Sequence, residues 1–141
     1  MTDVPSPEVT AFFDEPTFTV SYVVKDPMSR SCAIIDSVLD FDNAAGRTST
    51  SAADRMIAFI RDNDLSVEWV LETHAHADHL TAADYLRRKT GAKIACSSGI
   101  REVQQTFGRV FNLPGSPQTE ASSTACSRKA TPWPWAAWIS A

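Results

Sequence analysis

The pattern of apolar and polar positions predicts a series of short elements over the first 113 residues. Val9 to Phe13 is a short apolar segment that suits a first strand. Thr17 to Val24 is rich in β-branched and aromatic residues and predicts another. Asp26-Pro27-Met28-Ser29 has turn composition. Ser31 to Val38 then predicts a strand that returns as a hairpin partner. Phe41 to Ser51 is polar, contains Gly46 and predicts a loop. Ser51 followed by Asp54 resembles a capping box with Asp in place of Glu, opening a helix to about Asn63. Ala53, Met56, Ile57 and Ile60 fall on one face of that helix, with Met56 as core filler. Val67 to Leu71 reads as a buried strand. A helix from Leu80 to Lys89, ended by Thr90-Gly91, a strand from Ala92 to Cys96 and a helix from Ser98 to Phe107 complete the series. Alternation of this kind predicts a layered, mixed α/β architecture.

Composition narrows the class. The chain has 141 residues, 43% hydrophobic and 21% charged, with a net charge of -4. That length suits one domain with a real core. The charge gives no basic stripe for nucleic acid. No apolar run is long enough to span a membrane. The acidic, Pro-containing start, Met1-Thr2-Asp3-Val4-Pro5, has neither the basic nor the apolar region of a signal peptide. Three cysteines, Cys32, Cys96 and Cys126, without CxxC spacing read as reduced thiols of a cytoplasmic protein. Cys32 and Cys96 sit in strand-like runs and suit the core.

The chemistry is concentrated in one stretch. Thr73-His74-Ala75-His76-Ala77-Asp78-His79-Leu80 contains all three histidines of the chain. It directly follows the Val67–Leu71 strand, where layered α/β folds place ligands beyond a strand's carboxyl end. Imidazole and carboxylate are the usual ligands of zinc and non-haem iron. In a tight loop His74 and His76 could share one metal, with Asp78 and His79 facing a second. Two metals would activate a water between them; one metal with open positions would instead bind a thiolate and oxygen. Three histidines at this spacing by chance in a polar loop is the poorer account. No GxSxG elbow supports a serine-type triad. Asp36, at the end of an apolar strand, has two readings: an outer partner orienting a metal-bound imidazole, or a strand-end carboxylate in water.

The H-x-H-x-D-H pattern after a buried strand resembles the signature of the metallo-β-lactamase superfamily. The phrase E-T-H-A-H-A-D-H-L-T-A-A is more similar to its persulfide dioxygenase and glyoxalase II branch than to true β-lactamases. The resemblance covers about residues 9 to 113. It implies the N-terminal half of a four-layer αββα sandwich with a metal site at one edge. His74 and His76 would bind a first metal, Asp78 and His79 a second, with Asp78 also the candidate catalytic group that steers protons. In the dioxygenase branch one iron is held by the residue matching His74, plus a later histidine and aspartate. In the hydrolases two zinc or iron ions are held. The implied substrates are small-molecule thiols, persulfides or thioesters.

The resemblance also implies ligands that this chain does not carry. No histidine follows His79, and the last aspartate is Asp84. The segment from Pro114 to Ala141 differs in kind, with three of the four tryptophans, half the prolines and no aspartate. A disordered tail and a Pro/Trp interaction motif are two accounts of it. A third is a shifted reading frame. Read one base early, the segment can encode FAADGSQFDRLFAQGDALAVGGLDFRV, with strand alternation around a Gly-Gly hairpin signal. Trp has a single codon, and the three positions fixed by it give Ala, Gly and Asp, all fitting. These features predict a single-base deletion near Gly115-Ser116. The expected organisation is a partial domain over 1–113 and an aberrant, disordered tail over 114–141, inactive alone, with a half-sandwich prone to self-association through exposed sheet.

Overall fold

Nine short strands and three helices are present in the computed structural model, which describes residues 5–112 and the short strand at 125–126. The chain opens with β1 (Glu8–Asp14) and β2 (Thr19–Lys25), paired antiparallel. The Asp26 carboxylate closes the following turn. It accepts the Met28 N–H at 3.0 Å and the Ser29 hydroxyl at 2.8 Å. β3 (Ser31–Ile35) then returns antiparallel to β2. This predicted hairpin forms, but its second strand stops at Ile35 rather than Val38. Asp36 adopts a left-handed conformation, φ 50°, which breaks the ladder and turns the chain away.

Val38–Asp42 belongs to a different sheet. It forms β4, which pairs with β5 (Arg47–Ser49) on one side and β7 (Leu80–Thr81) on the other. The loop expected over 41–51 is therefore largely a hairpin. Its polar residues face solvent on a small outer sheet, so the strand lacks the apolar alternation that would reveal it. Asp42 closes the turn by accepting the Ala44 and Ala45 N–H groups.

Helix α1 (Ser51–Asp62) carries its predicted face inward. Ala53, Met56 and Ile60 are buried, and Ile57 packs against the same core. The expected capping box is replaced by a tertiary cap. Thr50 occupies the cap position, its hydroxyl donates to Asp54, and the Asp40 carboxylate on β4 accepts the Ala52 N–H at 3.0 Å. Phe59 stands edge-on to Phe12, tying α1 to β1.

The larger sheet runs β1-β2-β3-β6-β8-β9, with β6 (Ser66–Glu72), β8 (Lys93–Cys96) and β9 (Ala125–Cys126). From β3 onward its strands are parallel. In the central strand β3, the successive residues Cys32, Ala33 and Ile34 are all buried, as expected of a strand covered on both faces. Helix α2 (Ala83–Thr90) crosses between β6 and β8 and buries Leu86 completely. It ends on Gly91, φ 77°, whose N–H bonds to the Arg87 carbonyl; the left-handed cap is a conformation glycine adopts without strain. α2 starts at Ala83, later than the expected Leu80, because Leu80 and Thr81 are held in β7. Helix α3 (Ile100–Val110) buries no residue among those described, and Phe107 and Phe111 stack on its exposed side.

Met56 and Cys32 sit in the core as read from the sequence. Burial, helped by the Glu68 carboxylate, pushes the Cys32 thiol up to about 11. The unfolded thiol ionises first, so this residue's contribution to stability is full below its unfolded pKa and is lost as pH rises toward 11. In native protein at pH 8 Cys32 should resist iodoacetamide and become labelled on addition of urea. Rapid native labelling, read by peptide mass spectrometry, would contradict its burial. Cys96 is half-buried in β8. The tail expected to be disordered lies outside the described residues except for β9. No helix among the described residues is long and apolar enough to cross a membrane.

Candidate metal centre

β3 and β6 are parallel neighbours, so their carboxyl ends lie at the same edge of the sheet. Asp36 follows β3, and Glu72 ends β6. The loop over 73–79 departs from that edge. The Asp36 N–H bonds to the Leu71 carbonyl at 2.9 Å, extending the contact one step past the ladder. The Asp36 carboxylate then grips the start of the histidine loop. It accepts the Thr73 N–H at 2.8 Å and the Thr73 hydroxyl at 2.6 Å.

The three imidazoles converge. Ring centroids are 4.3 Å apart for His74 and His76, and 4.2 Å for His76 and His79. Two groups offer donor atoms all within 4.8 Å of one another: Asp36, His74 and His76, and His76, Asp78 and His79. All five residues singled out in the sequence meet here. The grouping differs from the expected pairing, because His76 is common to both sets.

Hydrogen bonding assigns each ring one nitrogen to the protein and leaves the other for a ligand. The Thr73 hydroxyl gives its proton to Asp36, so its oxygen accepts from His74 Nδ1 at 2.8 Å; Nε2 of His74 keeps the lone pair. His76 Nε2 lies 2.8 Å from Glu72 Oε2 and 3.1 Å from Asp36 Oδ1. Carboxylates only accept, so Nε2 carries the proton and Nδ1 is available. His79 Nδ1 faces Asp78 Oδ1 at 3.3 Å and the Thr19 hydroxyl at 3.4 Å. Its Nε2 is buried without a hydrogen-bond partner among the described residues, and its side chain is 1% exposed. An orphaned buried imidazole nitrogen is costly. A metal ion at that nitrogen would remove the cost, so the donor set fits a metal.

Burial and hydrogen bonding set the two carboxylates beside the site in opposite directions. Burial pushes the Glu72 carboxyl up, against the lowering effect of the Thr81 hydroxyl bond. The exposed Asp78 is held low, first by its own backbone N–H and also by His79. The site opens into a cleft of about 710 Å³ between Thr17, Phe41, Arg47 and the histidine loop.

Glu72, Thr73, Thr81 and Thr19 support the imidazoles, a role that no local sequence pattern marks. Glu72 and His76 are four residues apart, a spacing that signals contact in a helix and nothing across a strand end. Thr19 is 60 positions from His79, beyond the reach of any local pattern.

A profile of the metallo-beta-lactamase superfamily matches residues 14–136. The chain belongs to the metallo-beta-lactamase superfamily. Among its relatives, a beta-lactamase hydrolase-like protein of Agrobacterium fabrum is 49% identical over 106 residues, 75% of this chain and 25% of that protein. Glyoxylase B2 of Dictyostelium discoideum is 41% identical over 116 residues, 82% of this chain and 40% of that protein. The crystal structure of ETHE1 from Myxococcus xanthus is similar with a TM-score of 0.52 and 31% identity, covering 62% of this chain and 34% of that one. The chain thus spans a quarter to two fifths of these two relatives' length. The metallo-beta-lactamase fold implies metal binding, and the clustered histidines and carboxylates are a group that could hold a metal.

Proposed function

We propose that this chain is the metal-holding part of a persulfide dioxygenase-type enzyme using a mononuclear iron, with a small-molecule persulfide such as that of glutathione as substrate. The observation that supports it is the convergence of His74 with His76 and His79 beside carboxylates, imidazole and carboxylate being ligands that suit non-haem iron with open positions. Bound iron would supply open positions for substrate sulfur and oxygen. The chain's own residues would hold and orient the imidazoles, while Asp78, at the mouth of the cleft, would accept or return protons.

A second reading is a glyoxalase II-like thioester hydrolase with two zinc or iron ions. It is favoured by His76 standing between two donor groups, and by the names of the hydrolase-like and glyoxylase relatives. In either reading, the remaining ligands come from outside these 141 residues or from a second copy paired through exposed sheet. We further propose that the segment after Leu113 reflects a single-base deletion, in a cytoplasmic protein.

Resequencing the coding DNA from the Phe111 codon tests that last proposal. A restored frame supports it, and a tail shared by intact relatives overturns it. Metal content with oxygen uptake on glutathione persulfide, and thioester cleavage, separate the two activities. These are measured on the chain and on any restored-frame product. One iron per chain with oxygen uptake supports the dioxygenase. Two metals with thioester cleavage and no uptake overturn it in favour of the hydrolase. The 141-residue chain alone should bind metal but turn over neither substrate.

A further inference from the structure

Glu72 is the residue of the site that neither reading of the function uses. Its side chain is 11% exposed, at the last position of β6. Oε2 lies 2.8 Å from His76 Nε2. Oε1 accepts the Thr81 hydroxyl at 2.5 Å. That hydroxyl in turn accepts the Ala83 N–H at the start of α2, at 3.0 Å. Both carboxylate oxygens are therefore committed. One is anchored to β7 and α2, and the other is aimed at a single nitrogen of a single imidazole. The second carboxylate near that nitrogen, Asp36, is longer at 3.1 Å and already accepts two bonds from Thr73.

We propose that Glu72 is a positioning residue that selects the nitrogen His76 presents to a metal. By accepting the Nε2 proton it fixes the neutral ring in one tautomer and leaves the Nδ1 lone pair for a metal. Without it only Asp36, at 3.1 Å and already accepting from Thr73, would face that nitrogen, and the one side chain common to both donor groups would be held less firmly in one tautomer and register. The energetics follow from the ligand's orientation rather than from charge brought to the metal. Outer partners that orient a ligating histidine change metal affinity by roughly 10- to 100-fold. Asp36 shares that nitrogen at longer range and in addition holds Thr73 and through it His74.

This inference rests on the metal-binding reading, and the two can fail separately. The first readout needs no metal. In the 141-residue chain labelled with ¹⁵N at histidine, at alkaline pH where free imidazole is neutral, the His76 ring should show protonated Nε2 and bare Nδ1. Glu72→Ala should mix the tautomers. Glu72→Gln keeps a carbonyl acceptor and should retain more of the Nε2-protonated form, which keeps the test open if the alanine variant folds poorly. The second readout is cobalt(II) affinity by absorption titration. Glu72→Ala should weaken it by about 10- to 100-fold, with Glu72→Gln between. A His76 tautomer and cobalt affinity unchanged in both variants would overturn the assignment. Absence of cobalt binding by the parent chain would instead sink the metal reading and leave the tautomer measurement to decide on Glu72.

Discussion

Replacing His76 with alanine should abolish measurable metal binding by this chain while leaving its fold in place. His76 is the one residue shared by the two donor groups, so its loss leaves each with one imidazole and one carboxylate. The loss should exceed the roughly 100-fold upper range associated with removing an outer partner. His74→Ala should be milder, because the group of His76, Asp78 and His79 survives intact. The loop follows the sheet rather than forming its core, so far-ultraviolet circular dichroism should be unchanged. Zinc titration against a chromophoric chelator gives the affinities. Equal losses for His74→Ala and His76→Ala would mean that the two groups do not share a ligand.

Leu86→Ala should be the most damaging of the simple core truncations. Leu86 is fully buried, and α2 presents it to the cluster that contains Val70, Ile94 and Met56. α2 spans only Ala83–Thr90 and buries just Ala83 and Leu86 within its own length. Removing Leu86 leaves the helix almost no apolar anchor and opens a cavity that the flanking strands cannot fill. The expected cost is about 2–5 kcal/mol, read as a lowered midpoint in urea. Because the Ala83 N–H that opens α2 bonds to the Thr81 hydroxyl that steadies Glu72, the variant should bind metal more weakly even where it remains folded. Val110→Ala, on the exposed side of α3, serves as the control and should change stability by no more than about 0.5 kcal/mol.

What could be read from the sequence tracks how local the determining interaction is. The β2–β3 hairpin, the face of α1 and the Gly91 cap each depend on residues within a few positions of one another, and all were legible. So was the histidine cluster, since its ligand chemistry is packed into six consecutive residues. The β4–β5 hairpin was not, because an outer polar sheet has no apolar period. The start of α1 depends on Asp40, twelve positions from the N–H it caps, and the local Ser51/Asp54 pattern pointed to the wrong cap. Asp36, ending an apolar strand, was legible only as one of two things, a partner of a metal-bound imidazole or a carboxylate in water. Its left-handed backbone and its grip on Thr73 could not be foreseen, since both arise from the parallel pairing of β3 with β6.

That pairing bears on how the site is assembled. The three histidines are neighbours in sequence and can meet metal in the unfolded chain, there without the orientation that the fold gives them. The groups that decide which nitrogen faces outward are distant: Asp36 is 37 positions from Thr73, and Thr19 is 60 from His79. Parallel, non-local contacts of this kind close slowly. A chain that meets metal before closure will therefore ligate through either nitrogen of each ring, and such binding reduces the stabilisation that metal gives the native state. Refolding in the presence of a chelator, with metal added afterwards, is the order in which the fold dictates the coordination.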